Sequence, residues 1–443
     1  MGKTKKKIIF VVIAFIMVCA ALLAVYGFMF DPHRGTLTGN IETLPLESAL
    51  SRDQAKEDID YVMSMLRSRH PAWLEEDNER VAAVEAQYLA ELGVLNEKYP
   101  DGMTVLDEWK LIGRIMHELY DGHSGVRCHY SEYRFINDFS QISEYGPPVR
   151  INGEPTEDVF ERFLSVRQYE TVESAKTSFL SSALYNDVFL SLAGVDTRDG
   201  VTYTFDTGDG EIDFHYSYVP IADVAGKDSP SDDEKRVMNS WVGYSIDYKN
   251  QIGVFTLTEC NYDDQYKSTV KEFFNAVSEA DVKDVIVDLR GNGGGSSGVG
   301  NEFITYLDVD GYYEWADHVR LGNYLLKHKR EYIKNRRSNP VFSGNVYVLT
   351  NTGTYSSAMD FTMLIMDNDI GKVVGEASGN LPDSYGDFLN FAMPNSKLLF
   401  TVSYKRWFRI DESKAGQLLE PDYPCDPNEA LEKAYEIILS GRD

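Results

Sequence analysis

Val287-Asp288-Leu289-Arg290-Gly291-Asn292-Gly293-Gly294-Gly295 is the stretch on which the reading of this 443-residue chain turns. Val285-Ile286-Val287 is a short apolar run of the kind that forms a buried strand. Four glycines then fall within five residues. Without Cβ atoms, backbone N–H groups can converge on a small anion. A phosphate loop would need a lysine, but Gly295 is followed by Ser296-Ser297-Gly298. An oxyanion site and a plain flexible turn remain as readings of the loop.

The surroundings alternate between strand and helix. Residues 252–257 read as a strand, 267–280 as a helix, 346–349 as a buried strand, 356–366 as a helix and 372–375 as the next strand. Such alternation predicts a layered α/β sheet with covering helices. Upstream, Ser51 and Gln54 have capping-box spacing, and Ile59, Val62, Met63 and Leu66 mark one helix face. His70-Pro71 stops that helix, since the residue before proline avoids helical backbone. Two more helices are expected around residues 81–92 and 104–119. Between residues 127 and 240 the pattern is mixed. Asn152-Gly153 signals a turn, residues 201–205 and 212–219 alternate like strands, and residues 228–236 form a polar boundary loop. His318 and His328 fall in a charged stretch read as helical.

Charge and hydropathy divide the chain further. The net charge of -27 argues against a nucleic-acid partner, because phosphate backbones select Lys/Arg surfaces. Four lysines stand within the first seven residues; without them the remainder carries -31. Residues 8–30 are an uncharged run that would reach ~35 Å as a helix, enough to cross a bilayer. Basic residues before it place the N-terminus inside. The rival reading is a cleaved signal peptide, whose apolar part is normally ~7–15 residues. The retained anchor is preferred, with an extracytoplasmic body at the cell membrane. Cys19, Cys128, Cys260 and Cys425 show no metal-ligand spacing, and no metal or cofactor is expected.

Two further segments carry chemistry. In Asn351-Thr352-Gly353-Thr354-Tyr355-Ser356-Ser357-Ala358 a strand gives way to a tight turn and a helix. A serine at such a helix start sits where N–H groups favour negative charge, which suits a nucleophile that generates an oxyanion. Ser356 is the candidate, though capping the helix is the simpler role for it, and Ser357 is the weaker alternative. Tyr120-Asp121-Gly122-His123-Ser124-Gly125 holds the histidine best placed as a base, in a glycine-flanked turn after a helix.

Together these segments resemble the C-terminal processing (tail-specific) serine peptidase family, with the tricorn core and retinoid-binding-protein-like relatives, over residues 50–435. The carriers are residues 287–295, Thr354-Tyr355-Ser356-Ser357-Ala358, Val373-Val374-Gly375-Glu376, Asp121-Gly122-His123 and Glu420-Pro421-Asp422-Tyr423-Pro424. The resemblance implies an α/β, crotonase-like (Clp-protease-like) core with an N-terminal helical bundle and a β-rich middle region, behind one transmembrane helix. The expected divisions are a cytoplasmic tip at 1–7, the anchor at 8–30, a stalk at 31–49, helices at 50–127, a β-rich and PDZ-like region at 128–240, and the core at 241–435. It implies Ser356 as nucleophile, with Ser357 and Gly293 or Gly294 supplying oxyanion N–H groups, and a polypeptide substrate. Many members use a lysine base in the segment that here reads Gly375-Glu376-Ala377-Ser378-Gly379-Asn380-Leu381. Leu381 stands at the lysine position and cannot take a proton. A tricorn-like arrangement would instead use His123 as base with a late acid, Glu412 or Asp411. The alternative is a catalytically inactive relative that binds peptides or ligands. Absence of a basic cluster for phosphates argues against an acyl-CoA ligand.

Overall fold

Helix α1 (Lys3–Met29) carries the apolar run, and its segment Phe10–Gly27 has a mean hydropathy of 2.7. That is long and apolar enough to cross a membrane, by length and composition. The computed structural model describes residues 3–39, 41–127, 134–136, 140–220 and 241–442. Cys128 and the expected boundary loop at 228–236 lie outside the described residues. Helix α2 (Arg52–Arg69) opens with the expected capping box, Gln54 N–H donating to Ser51 and Ser51 N–H to Gln54, and ends at His70. Helices α3 (Glu79–Lys98) and α4 (Val105–His117) pack beside it through Val62, Met63, Leu66, Val84, Trp109 and Ile112.

The middle region differs from its expected β-rich character. A four-stranded sheet is present, with the Asn152-Gly153 turn joining Arg150–Ile151 to Glu154–Pro155. Helices α5 (Thr156–Ser165), α6 (Val172–Ser181) and α7 (Asp187–Leu192) pack against it. The reason is legible afterwards. Val159, Phe160 and Phe163 recur at helical spacing and bury one face of α5.

The C-terminal half is built from β1 (Val242–Asp247), β2 (Ile252–Leu257), α8 (Asp264–Glu279), β3 (Asp284–Asp288), α9 (Gly298–Ile304), β4 (Ala316–Leu321), β5 (Tyr324–His328), β6 (Asn345–Thr350), α10 (Ser357–Met366), β7 (Lys372–Gly375), β8 (Tyr385–Ala392), β9 (Leu399–Phe408), β10 (Tyr423–Pro424) and α11 (Ala430–Ser440). One sheet has the order β1-β2-β3-β6-β7-β10, with β1 antiparallel to β2 and the rest parallel. Its central strands carry apolar side chains on both faces because both faces are covered. Val285, Val287 and Val348 meet α8, α9 and α10, while Ile286, Leu349 and Val374 meet α11. A second, antiparallel sheet runs β5-β4-β9-β8, and the short strand Val126–Arg127 adds to β9.

Two expectations are corrected here. His318 and His328 sit on β4 and β5, a hairpin turned by Gly322-Asn323, and not on a helix. The expected stalk at 31–49 does not stand free. Leu37 N–H donates to Asn390 O at 2.8 Å and Leu44 N–H to Ser396 O at 3.1 Å, so it is docked on the second sheet.

Candidate active site

Strands β3 and β6 are parallel neighbours, with Asp288 opposite Leu349. Both point their carboxyl ends the same way, where open α/β sheets place their sites. The glycine loop follows β3, and the turn to Ser356 follows β6. The two are stitched together. Gly291 N–H donates to Asn351 Oδ1 at 2.8 Å, Tyr355 N–H to Asn292 O at 2.9 Å, and Thr354 Oγ1 to Leu289 O at 2.9 Å. Asn292 is itself buried and anchored to Leu257 O.

Ser356 has φ 54° and ψ -126°, a backbone region that costs a non-glycine residue ~1–3 kcal/mol. Its N–H is held by Asn380 Oδ1 at 2.8 Å, so the surroundings enforce the bend. The bend lifts Oγ out of the turn at the start of α10. Ser357 uses its hydroxyl structurally, donating to Gly295 O at 2.9 Å. Its N–H belongs to the first helical turn, which has no acceptor within the helix.

His123 stands after α4 in the turn that begins at Tyr120, and the turn is bolted to β9. Thr401 Oγ1 donates to His123 O at 2.7 Å, and Ser403 N–H to Ser124 Oγ at 2.8 Å. The ring brings Nε2 to 3.1 Å from Ser356 Oγ, across 233 residues of sequence. Accepting the serine proton requires Nδ1 to carry the ring hydrogen. Nδ1 is buried, has no hydrogen-bond partner among the described residues, and lies 3.9 Å from both Asp121 Oδ1 and Glu170 Oε1.

The two carboxyl groups differ. Asp121 accepts from the His123 N–H at 2.9 Å and meets His70 Nε2 at 3.1 Å. Burial works to raise its pKa, but the bond to and charge of His70, with His123, hold it well below the ordinary range. Glu170, from the loop before α6, is pushed up to about 8 by burial and then by the Asp121 charge. It accepts from Leu381 N–H at 3.0 Å and Tyr355 OH at 3.2 Å. The two shifts run in opposite directions, favouring the neutral form of Glu170 and the ionised form of Asp121. Burial lowers the His123 pKa, with Arg127 adding to the shift and Asp121 and Asp387 opposing it. The imidazole is thus neutral and able to act as a base.

Of the residues expected from sequence, the structure brings Ser356, His123, Ser357 and Gly293 together. Gly294 is beside them, and its N–H donates to Asn292 Oδ1 at 2.9 Å. Gly294 matters by having no side chain. A Cβ there would lie 2.7 Å from Ser356 Cβ and 2.9 Å from Ser357 N, at φ +98°. Gly294→Ala is expected to displace the Ser356 turn and to slow labelling of Ser356 by a soluble fluorophosphonate at least 10-fold, read beside a far-UV spectrum showing retained fold.

Glu412 is not part of the constellation. Its side chain is 76% exposed on a single 3₁₀ turn and faces Arg330 at 3.9 Å. Asp411 caps that same turn. Leu381 supplies a backbone N–H and no base. Nothing local in the sequence marks His70, Glu170 or Asn380 as part of the site, because each is brought to it by tertiary packing. Asp121, His123 and Glu170 each place one ligand atom within 4.8 Å of the others, a spacing that could hold a cation.

Ser356, His123, Gly293, Arg127, Phe388, Tyr404 and His33 line one open cavity of about 490 Å³. A family model described as peptidase family S41 matches residues 251–425. Two structures of mature CPAF, one complexed with lactacystin, share the fold at 13% identity. Their TM-scores are 0.60 and 0.61, covering 88% of this chain and 97% and 96% of those chains. No curated protein matches the chain.

Proposed function

We propose, from the match of residues 251–425 to peptidase family S41, that the chain is a membrane-anchored, extracytoplasmic serine peptidase of the C-terminal processing kind. The observation that carries this reading is the 3.1 Å approach of His123 Nε2 to Ser356 Oγ. It supplies the base that Leu381 lacks, which favours an active enzyme over a binding module. The α/β core is read as crotonase-like, spanning residues 241–435, behind a helical region at 50–127. Helix α1 is read as the retained anchor, with its lysines inside.

In this mechanism Ser356 Oγ forms a bond to the peptide carbonyl carbon while its proton passes to His123 Nε2. The resulting oxyanion is held by the N–H groups of Gly293 and Ser357. Asp121 stabilises the imidazolium. The carbon–nitrogen bond then breaks as His123 returns the proton to the leaving amine. Water hydrolyses the acyl-serine by the same steps, again with His123 as base, and leaves a new carboxyl terminus.

Two results test the base assignment. The group that must be unprotonated has its pKa lowered, so activity is lost only as pH falls through that lowered value. The acid limb of kcat/KM is therefore expected below the ordinary histidine value of about 6.5. Leu381→Lys is expected to give no gain in activity, since a base is already in place. A large gain, or an acid limb well above 6.5, would overturn the role of His123.

A further inference from the structure

The segment that leaves α1 runs straight to the catalytic cavity. The Phe30 ring lies 5.5 Å from that of Tyr324, at the tip of the β4–β5 hairpin, and Gly322 of that tip packs on the Met29 carbonyl. Arg69 Nη2 donates to Arg34 O at 2.9 Å. Between these fixed points His33 sets its ring edge-on to Tyr404 at 5.5 Å and forms part of the wall of the cavity that holds Ser356. Three residues separate Met29 from His33, four Cα–Cα steps and at most ~14 Å of extended chain. The cavity wall therefore begins within that distance of the end of the apolar helix.

A second observation concerns the hairpin beside the helix end. Tyr324 is 62% and Leu326 46% exposed, and Lys327 and Lys329 next to them are also exposed. An aromatic and an aliphatic side chain flanked by cations is the composition of a surface resting at lipid headgroups, and it is unusual on a chain this acidic.

We propose that the catalytic cavity opens at the membrane surface and takes a membrane-anchored polypeptide, cutting it within a few residues of where it leaves the bilayer. This rests on the anchor and peptidase readings above. A substrate held in the same bilayer arrives at high effective concentration, whereas a soluble folded protein must reach a site close against lipid.

The test is a molecular ruler on the full chain in phosphatidylethanolamine–phosphatidylglycerol vesicles. Lipid-anchored fluorophosphonates with spacers of about 10, 30 and 60 Å are compared, together with a soluble one. The account expects the shorter spacers, within about 30 Å, to label Ser356 at least as fast as the longest. A 20-residue Gly/Ser insertion between Phe30 and Asp31 adds roughly 25 Å of root-mean-square reach. It should slow the shortest probe at least 10-fold and leave the longest and the soluble probe unchanged. A peptide that is cut in free form should be cut at least 10-fold faster when lipid-anchored at equal bulk concentration. Wild-type labelling by the 60 Å probe alone, or an insertion with no effect on the shortest probe, overturns the proposal. Failure of the soluble probe to label wild-type protein would instead strike the peptidase reading. Release of the protein from vesicles by alkaline carbonate would strike the anchor. Either result removes the proposal with it.

Discussion

Ser356→Ala is expected to lower kcat for peptide cleavage by about 10⁵–10⁶-fold while the protein stays folded. The alanine keeps Cβ at the bend and the Asn380 bond to the backbone N–H, so little besides Oγ is lost. His123→Ala should cost a comparable factor, since Oγ then has no acceptor at 3.1 Å. The double variant should be hardly worse than either single one, because nucleophile and base act as a unit. Steady-state cleavage of an unstructured peptide, with thermal melting as the control for folding, measures all three. If Ser357→Ala were as damaging as Ser356→Ala through chemistry alone, the nucleophile assignment would be wrong.

The second large effect separates the two acids. Asp121→Asn should reduce kcat by about 10³–10⁴-fold, the scale seen when the anion that orients a catalytic histidine is made neutral. Glu170→Gln should stay within about 10-fold of wild type at pH 7. Burial and the Asp121 charge push the Glu170 carboxyl up to about 8, which favours its neutral form there. The opposite ranking would mean that Glu170 is the working anion and that His70 serves only to neutralise Asp121.

Much of the core was legible because it rests on local signals. Buried parallel strands are apolar on both faces, so residues 252–257, 285–287 and 346–349 stood out from their surroundings. The glycine loop and the Ser356 turn each lie within ten residues of sequence. The Asp-Gly-His turn could be picked out because few other histidines lie in such a setting. What escaped was the support of the site. Glu170 has no motif, and it reaches His123 because α5 and α6 fold back on the turn after α4. His70 reads as a helix stop, which it is, and only the packing of α2 reveals its bond to Asp121. Asn380 lies in the segment where a lysine was sought, and its value is an amide that holds the strained serine. Glu412 was chosen for being acidic and late in the chain, and neither property brings a side chain to His123. The β4–β5 hairpin was misread as helix because its charges hid the Gly322-Asn323 turn, a two-residue hairpin signal.

Whether Ser356 is a nucleophile activated by His123 is read from the rate and position of adduct formation when the full chain meets a soluble fluorophosphonate, by peptide mass mapping. A single adduct is expected, on Ser356, formed in wild type and slowed at least 10³-fold in His123→Ala. An adduct on another serine, or equal labelling rates in the two proteins, would contradict it.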